Sequence, residues 1–422
     1  MRNILIVYAS RHSPMRASQH GHLRSFGKYA QGCRCFYVNV AFTSLPRYLC
    51  CIDFDLVIFD WLFLGTRVDR SWFEQRVRQM QMLKTLRATK IVLPQDEFIS
   101  MDLLCELINE FGVDYVFSVA PPSEWRKLYR TVDHDKVGFR RVLTGYLDEA
   151  LIERIATLRR GNPARPIDIG YRTVSTAIWG RFNLLKKEVG ELFRRVAPAH
   201  GLKVDIEIGA EHFLLGDAWF EFLLSCKYTL GVEGGSSLLD WDGSLFAKIS
   251  EYVARHPDAT FDELERTCIP PGSDGQIRVM AISPRNLEAC LTGTCQILLE
   301  GDYNGILQPD VHYIALKRDY SNLDAVLAAM KDESVRESIV ERADRDIVAS
   351  GRWTYRRFVQ GVLDDSLGAK QSNARRSARK ELLTTVLHAW SRVVDALEGA
   401  FIFLYSRMRD SRNWYRNVLQ RA

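Results

Sequence analysis

The 422-residue chain contains no run of eighteen apolar residues, the length that reads as a helix crossing a bilayer. Its first residues, MRNILIVYASRH, hold one short apolar run and no cleavage-site pattern, so they read as a strand and not a secretory leader. Zinc spacing is also missing. Among nine cysteines, Cys33 and Cys35 sit one residue apart and Cys50 and Cys51 are adjacent, so neither pair has the usual gap of about two to four residues. The cysteines read as free thiols in a reducing, cytoplasmic compartment. No internal repeat stands out. A basic body is missing too. Residues 369–422 hold eleven Lys/Arg against four Asp/Glu, a net of +7 in a chain of net +5, which leaves −2 for the rest. A body of that charge has no overall pull towards nucleic acid, and no nucleic-acid partner is expected.

Short apolar runs alternate with helical patterns instead. NILIVYA, CFYVNV, DLVIFDW, KIVLP and VDYVFSVA read as buried strands. Helices are expected near His22–Gln31, over Trp72–Leu86 and at LLCELINEF. Continuous apolar strands separated by helices imply a parallel sheet covered on both faces. After a Gly/Pro-rich stretch around Asn162 the pattern restarts at IDIGYR. It continues through a helix at about Leu184–Ala197, the strand KVDIEIG, the short helix DAWFEFLLSC and the strand YTLGVEG. About forty residues of mixed character follow (239–279), then helix RNLEACLTG, strands CQILLEG and HYIAL, and helix NLDAVLAAMK. The expected organisation is two Rossmann-like domains, 1–162 and 163–366, facing a cleft, followed by a basic amphipathic helical tail over 367–422.

The stretch SPRNLEACLTGTCQILLEGDYNGILQPDVHYIAL carries the densest pattern. Gly293 reads as the left-handed cap of a helix holding Glu288. Glu288-Ala289, the turn Thr292-Gly293-Thr294, the strand CQILL, the loop EGDYNGIL and the short strand HYIAL resemble the nucleotide-sugar-binding half of GT-B glycosyltransferases. The likeness is to family 4-type bacterial enzymes that build surface polysaccharides. LGVEGGSS and IDIGYR share in it, and LPQDEF shares weakly.

The resemblance implies a GT-B α/β fold and transfer of a sugar from a nucleoside diphosphate sugar to a hydroxyl acceptor. The implied acceptor is a lipid-linked glycan of surface polysaccharide or lipopolysaccharide synthesis. It implies that Glu288 holds the donor ribose, with Tyr303, Asn304 and Gly305 in the adjoining glycine-bearing loop. The family carries an earlier glutamate at the position of Met280 here, and Glu233, at a strand end, is the candidate for the missing role. Gly170, Tyr171 and Arg172 stand where backbone and guanidinium meet a diphosphate, and Arg285 is a second phosphate candidate. On the acceptor side, Asp96 and Glu97 end a strand where a carboxylate of raised pKa would take a hydroxyl proton, with a helix cap as the plainer role. His22, with His20 nearby, lies in a polar stretch bordering the same side. Asp240 and Asp242 have the spacing of a metal pair, but an Asx turn explains them more simply, so no metal or other cofactor is expected.

The tail mixes Trp390, Phe401, Phe403, Tyr405 and Trp414 with arginines. It reads as contacting an anionic membrane surface, packing on the first domain, or forming a helical dimer contact. Two other functions fit the same sequence: a nucleotide-sugar epimerase of this architecture, and a non-catalytic scaffold recruited to a membrane.

Overall fold

The computed structural model describes residues 1–11, 15, 17–161, 164–368 and 377–419, with side chains to Met408 in the last segment. The boundary placed at Asn162, the first part of the basic linker after Gly368 and the side chain of Trp414 lie outside the described residues.

The first sheet has six parallel strands: β1 (Arg2–Tyr8), β2 (Cys33–Asn39), β3 (Leu56–Phe59), β4 (Thr89–Val92), β5 (Tyr115–Ser118) and β6 (Gly138–Arg141). Their order is β2-β1-β3-β4-β5-β6. Ile4, Leu5 and Val7 are wholly buried, as expected where helices cover both faces. β6 was not foreseen, because GFRR is a short edge strand without an apolar run. The second sheet is also parallel. It uses β7 (Ile167–Thr173), β8 (Val204–Ile208), β9 (Cys226–Gly231), β12 (Cys295–Leu299) and β13 (Ile314–Leu316), ordered β13-β12-β9-β7-β8. A short antiparallel pair, β10 (Gly234–Ser236) and β11 (Val279–Ala281), stands beside it. Each parallel sheet has a switch point next to its first strand, between β1 and β3 and between β7 and β9. Crevices beyond the carboxyl ends of strands open at such points.

The helix Glu149–Arg160 starts on Asp148, whose carboxylate accepts the amides of Ala150 and Leu151. It buries Ile155 with Leu287, Leu291 and Leu298 of the second domain. The helix Tyr355–Leu367 runs the other way: Tyr355, Phe358, Val359 and Val362 pack with Ile4, Ile6, Leu23 and Phe26 of the first. Neither helix was foreseen from the sequence, and each covers the sheet of the other domain.

The stretch between β10 and β11 folds into the helices Ser244–Arg255 and Phe261–Thr267, with Leu238, Ile249, Phe261 and Leu264 as a core of their own. It is also tied to the first domain. The Asp240 amide donates to the Phe98 carbonyl at 2.7 Å, the Asp102 amide to the Trp241 carbonyl at 3.0 Å, and the Arg130 guanidinium lies 3.6 Å from the Trp241 ring centre.

The tail is one helix, Ala378–Leu419, packed on the first domain along β2. Asp395 accepts two bonds from Arg24, at 2.6 and 2.9 Å, Glu381 accepts from Arg34 at 2.6 Å, and His388 meets the Phe36 ring edge-on at 5.0 Å between centres.

Candidate functional site

A cavity of about 440 Å³ lies between the carboxyl ends of the two sheets, a size that suits a small organic ligand. The second domain supplies most of its wall through the ends of β7 and β9, the segment Phe213–Gly216, and the helices Arg181–Val196 and Pro284–Thr292. Trp61, Gln95 and Asp96 face it from the first domain.

The helix Pro284–Thr292 is placed by strong local signals. Ser283 caps it with a capping box closed by Asn286, Pro284 occupies its first turn, and Gly293 ends it at φ 65°. Asn286 also donates to the buried Gln296 of β12 at 2.9 Å. The helix is thereby fixed, and it carries Arg285 and Glu288 on its cavity side. Glu288 accepts a bond from the Trp219 indole at 2.8 Å. Burial raises its carboxyl, against the lowering effects of Trp219 and Arg285. Arg285 donates to the Arg172 carbonyl at 2.5 Å and lies over the Phe213 and Trp219 rings, 5.7 and 5.4 Å from their centres.

Lys186 projects into the same cavity from the helix Arg181–Val196. It makes no hydrogen bond or ion pair among the described residues. Burial, aided by Arg285, lowers its pKa to about 8, while Asp96 acts in the opposite direction. Sequence reasoning missed it, although one signal was present. Lys186 falls on the stripe of Asn183 and Gly190, which are both buried, so it is a lysine on the inward face of its helix. Trp219 and Trp61 were also missed, since lone tryptophans in apolar runs read as core.

Across the cavity Asp96 holds a positive φ of 51°. Its side chain meets water in the cavity but is walled in by protein, and this desolvation raises its carboxyl against the pull of Arg67 and Lys186. Glu97 points the opposite way and is fully buried. It accepts the amides of Val119 and Ala120 at 2.7 and 3.1 Å, the Ser118 hydroxyl at 2.5 Å and the Tyr129 hydroxyl. Arg67, also fully buried, donates to the carbonyls of Leu64, Gln95, Asp96 and Ile99. Arg67 and Glu97 therefore hold the strand-end loop that presents Asp96.

The remaining sequence candidates stand apart from one another. Tyr171 and Arg172 line the cavity, but the Arg172 guanidinium bonds Asp205 of β8 at 2.8 Å and lies over Phe222. Gly170 lies within β7 and not after it. A side chain there would meet Cys226 and Phe222, so packing requires the glycine. Glu233 is buried and accepts the Tyr303 amide at 2.9 Å, fastening the loop after β12. Tyr303 is buried with its hydroxyl on the Leu299 carbonyl, and Asn304 accepts the Ile282 amide at 2.9 Å. Tyr303, Asn304 and Gly305 all have positive φ, and none of the three lines the cavity.

His20 and His22 lie on the helix Ala17–Tyr29, which begins five residues before the expected start. The spacing of Leu23 and Phe26 covers only its second half. His22 is buried, 3.5 Å from Asp60, against the rings of Tyr355 and Phe358. Asp240 and Asp242 are engaged by backbone amides: Asp240 accepts from Gly243, Leu245 and Phe246, and Asp242 from Ser244.

No protein-family model matches the sequence, and a search of curated proteins finds no relative. Solved structures do match. An α-glucosyltransferase in complex with UDP-glucose and DNA containing an abasic site aligns with TM-score 0.50 at 10% identity, over 86% of this chain and 98% of that one. HepE of Anabaena in complex with UDP-glucose aligns with TM-score 0.47 at 11% identity, over 86% and 100%. Sucrose-phosphate synthase of Thermosynechococcus elongatus aligns with TM-score 0.47 at 12% identity, over 88% and 100%. The two facing parallel sheets, the cleft at their carboxyl ends and the first of these alignments give the chain the GT-B fold of glycosyltransferases, with a helical tail added.

Proposed function

We propose that the protein transfers a glycosyl group from a nucleoside diphosphate sugar to a hydroxyl acceptor. One observation carries the reading: Glu288, Arg285 and Lys186 converge on one cavity beyond the strand ends of the second sheet, with the two cations not fully partnered. Ionised Glu288 accepts hydrogen bonds from the ribose hydroxyls. Arg285 and Lys186 meet the diphosphate and offset the charge that develops as it leaves, a role preorganised cations fill well in a site shielded from water. No metal is required in this scheme. Asp96, opposite them, takes the proton from the acceptor hydroxyl, a role its raised carboxyl suits. The fold shared with a UDP-glucose-bound α-glucosyltransferase supports the donor class.

The acceptor we propose is a lipid-linked glycan of surface polysaccharide synthesis, met by a cytoplasmic enzyme held at the inner face of the membrane. The test of the donor is a thermal-shift panel of nucleoside diphosphates and their sugars on the full-length chain. A true donor at about 100 times its dissociation constant adds about 2.7 kcal/mol of apparent stability. A panel with no shift ends the reading, and interconversion of a sugar nucleotide without acceptor would replace it with an epimerase.

A further inference from the structure

The tail helix divides its charges by side. Glu381 and Asp395 face the body, where they pair with Arg34 and Arg24. Glu398 is partly buried beside Asp395 and Tyr8, and burial raises its carboxyl. These are the only acidic residues between Ala378 and Met408. The face turned away from the body therefore carries no fully exposed acid, while Arg379 and Arg407 are exposed on it or at its edge and Arg392 is exposed on the flank near His388.

The rest of that outer face is apolar. Leu382, Val386 and Trp390 are 66%, 58% and 55% exposed and begin a spacing of four, four and three residues. The same spacing resumes at Val393 and again at Leu404, ending at Met408. The stripe spans about 39 Å at roughly 1.5 Å per residue. A period of eleven residues is about 3.67 per turn, close to that of a straight helix, so the stripe stays on one side and meets a plane. Phe42 of the body, 37% exposed, extends the band beside Phe401 and Tyr405. No helix among the described residues is long and apolar enough to cross a membrane.

The geometry points to this stripe as the surface on which the protein lies against an anionic lipid bilayer. The tail helix is then sandwiched between the first domain and the lipid, its apolar side chains entering the headgroup boundary and its arginines meeting the phosphates. A second copy is the weaker occupant. Pairing with a second copy would join two faces that both carry arginine and no exposed acid, whereas an anionic surface complements such a face. The inference deepens the proposed membrane association by naming the face that carries it, and it stands independently of the sugar donor.

The experiment is flotation of the full-length chain with vesicles of phosphatidylcholine, alone or with about a third phosphatidylglycerol. Val386→Asp/Leu397→Asp and Arg379→Glu are run alongside, with nucleotide binding and urea unfolding on each. The wild type should float with anionic vesicles at low salt and less at high salt, and each variant should bind more than about tenfold more weakly while unfolding as the wild type does. Failure of the wild type to float, equal flotation with neutral vesicles, or variants that bind normally would overturn the inference. So would a dimer in sedimentation velocity that Val386→Asp/Leu397→Asp splits. Flotation without any nucleotide binding would leave this inference standing and remove the glycosyltransferase reading.

Discussion

The two walls of the cleft use buried charge in opposite ways. On the first-domain wall, Glu97 and Arg67 are fully buried and fully engaged, Arg67 by four backbone carbonyls and Glu97 by two amides and two hydroxyls. On the second-domain wall, among the described residues, Lys186 has no hydrogen-bond or ion-pair partner, Glu288 has a single indole donor, and Arg285 holds one carbonyl and two ring faces. A satisfied charge fixes a loop, and one left unsatisfied is available to a ligand. The contrast reaches adjacent residues, since Glu97 is anchored while Asp96 beside it faces the cavity.

The largest expected effect tests the anchored wall. Glu97→Ala leaves two amides and two hydroxyls without their acceptor and should lower stability by about 3–5 kcal/mol in urea unfolding. Asp96→Asn should stay within about 0.5 kcal/mol. Equal losses for the two would erase the distinction.

On the other wall, Glu288→Ala should weaken nucleoside diphosphate binding by roughly 2–4 kcal/mol, read by calorimetry, with the fold intact. Normal affinity in that variant removes the ribose assignment.

Lys186 gives a smaller effect with a sign in pH. Its pKa of about 8 in the free protein rises when an anion binds, so binding takes up a proton above that pH. Affinity should be flat below about pH 8 and fall by up to about tenfold per pH unit above it. Lys186→Met should bind more weakly at neutral pH by about 1.5–3 kcal/mol and lose the pH dependence near 8. A wild-type affinity that is level from pH 7 to beyond 9 would show that this lysine does not meet the ligand.

The smallest effect expected is none. Excess EDTA should leave turnover unchanged if side-chain cations neutralise the leaving group. Loss on chelation, restored by Mg²⁺, would return attention to Asp240 and Asp242.

All strands of the two parallel sheets but β6 were legible because apolar runs between turn residues leave little choice of partner, and Gly293 announced its helix end through the left-handed turn that only a small residue takes cheaply. The stretch 239–279 was not read as helical, because its short helices spend much of their apolar surface on each other and on Trp179. Of the residues lining the cavity, Glu288 was marked mainly through the family resemblance, and Arg285 and Asp96 as charged side chains at a helix start and a strand end, where an ion pair or a cap was an equal reading. Lys186 was hidden by the adjacent Lys187, which makes the pair look like ordinary surface. The division of charge on the tail helix was equally illegible, since composition counts charges without saying which side they take.

The return of the helix Tyr355–Leu367 to the first domain has a consequence for the order of synthesis. The face of the first sheet that shelters Ile4, Ile6 and Phe26 is completed by side chains made some 330 residues later, and the β2 edge waits for the tail helix. Synthesis from the N-terminus therefore leaves the first-made sheet with an open apolar face and an unprotected border while the second domain is still being translated. The second sheet has all its strands by Leu316. It can close before the first does, reversing the usual expectation that the leading domain settles first.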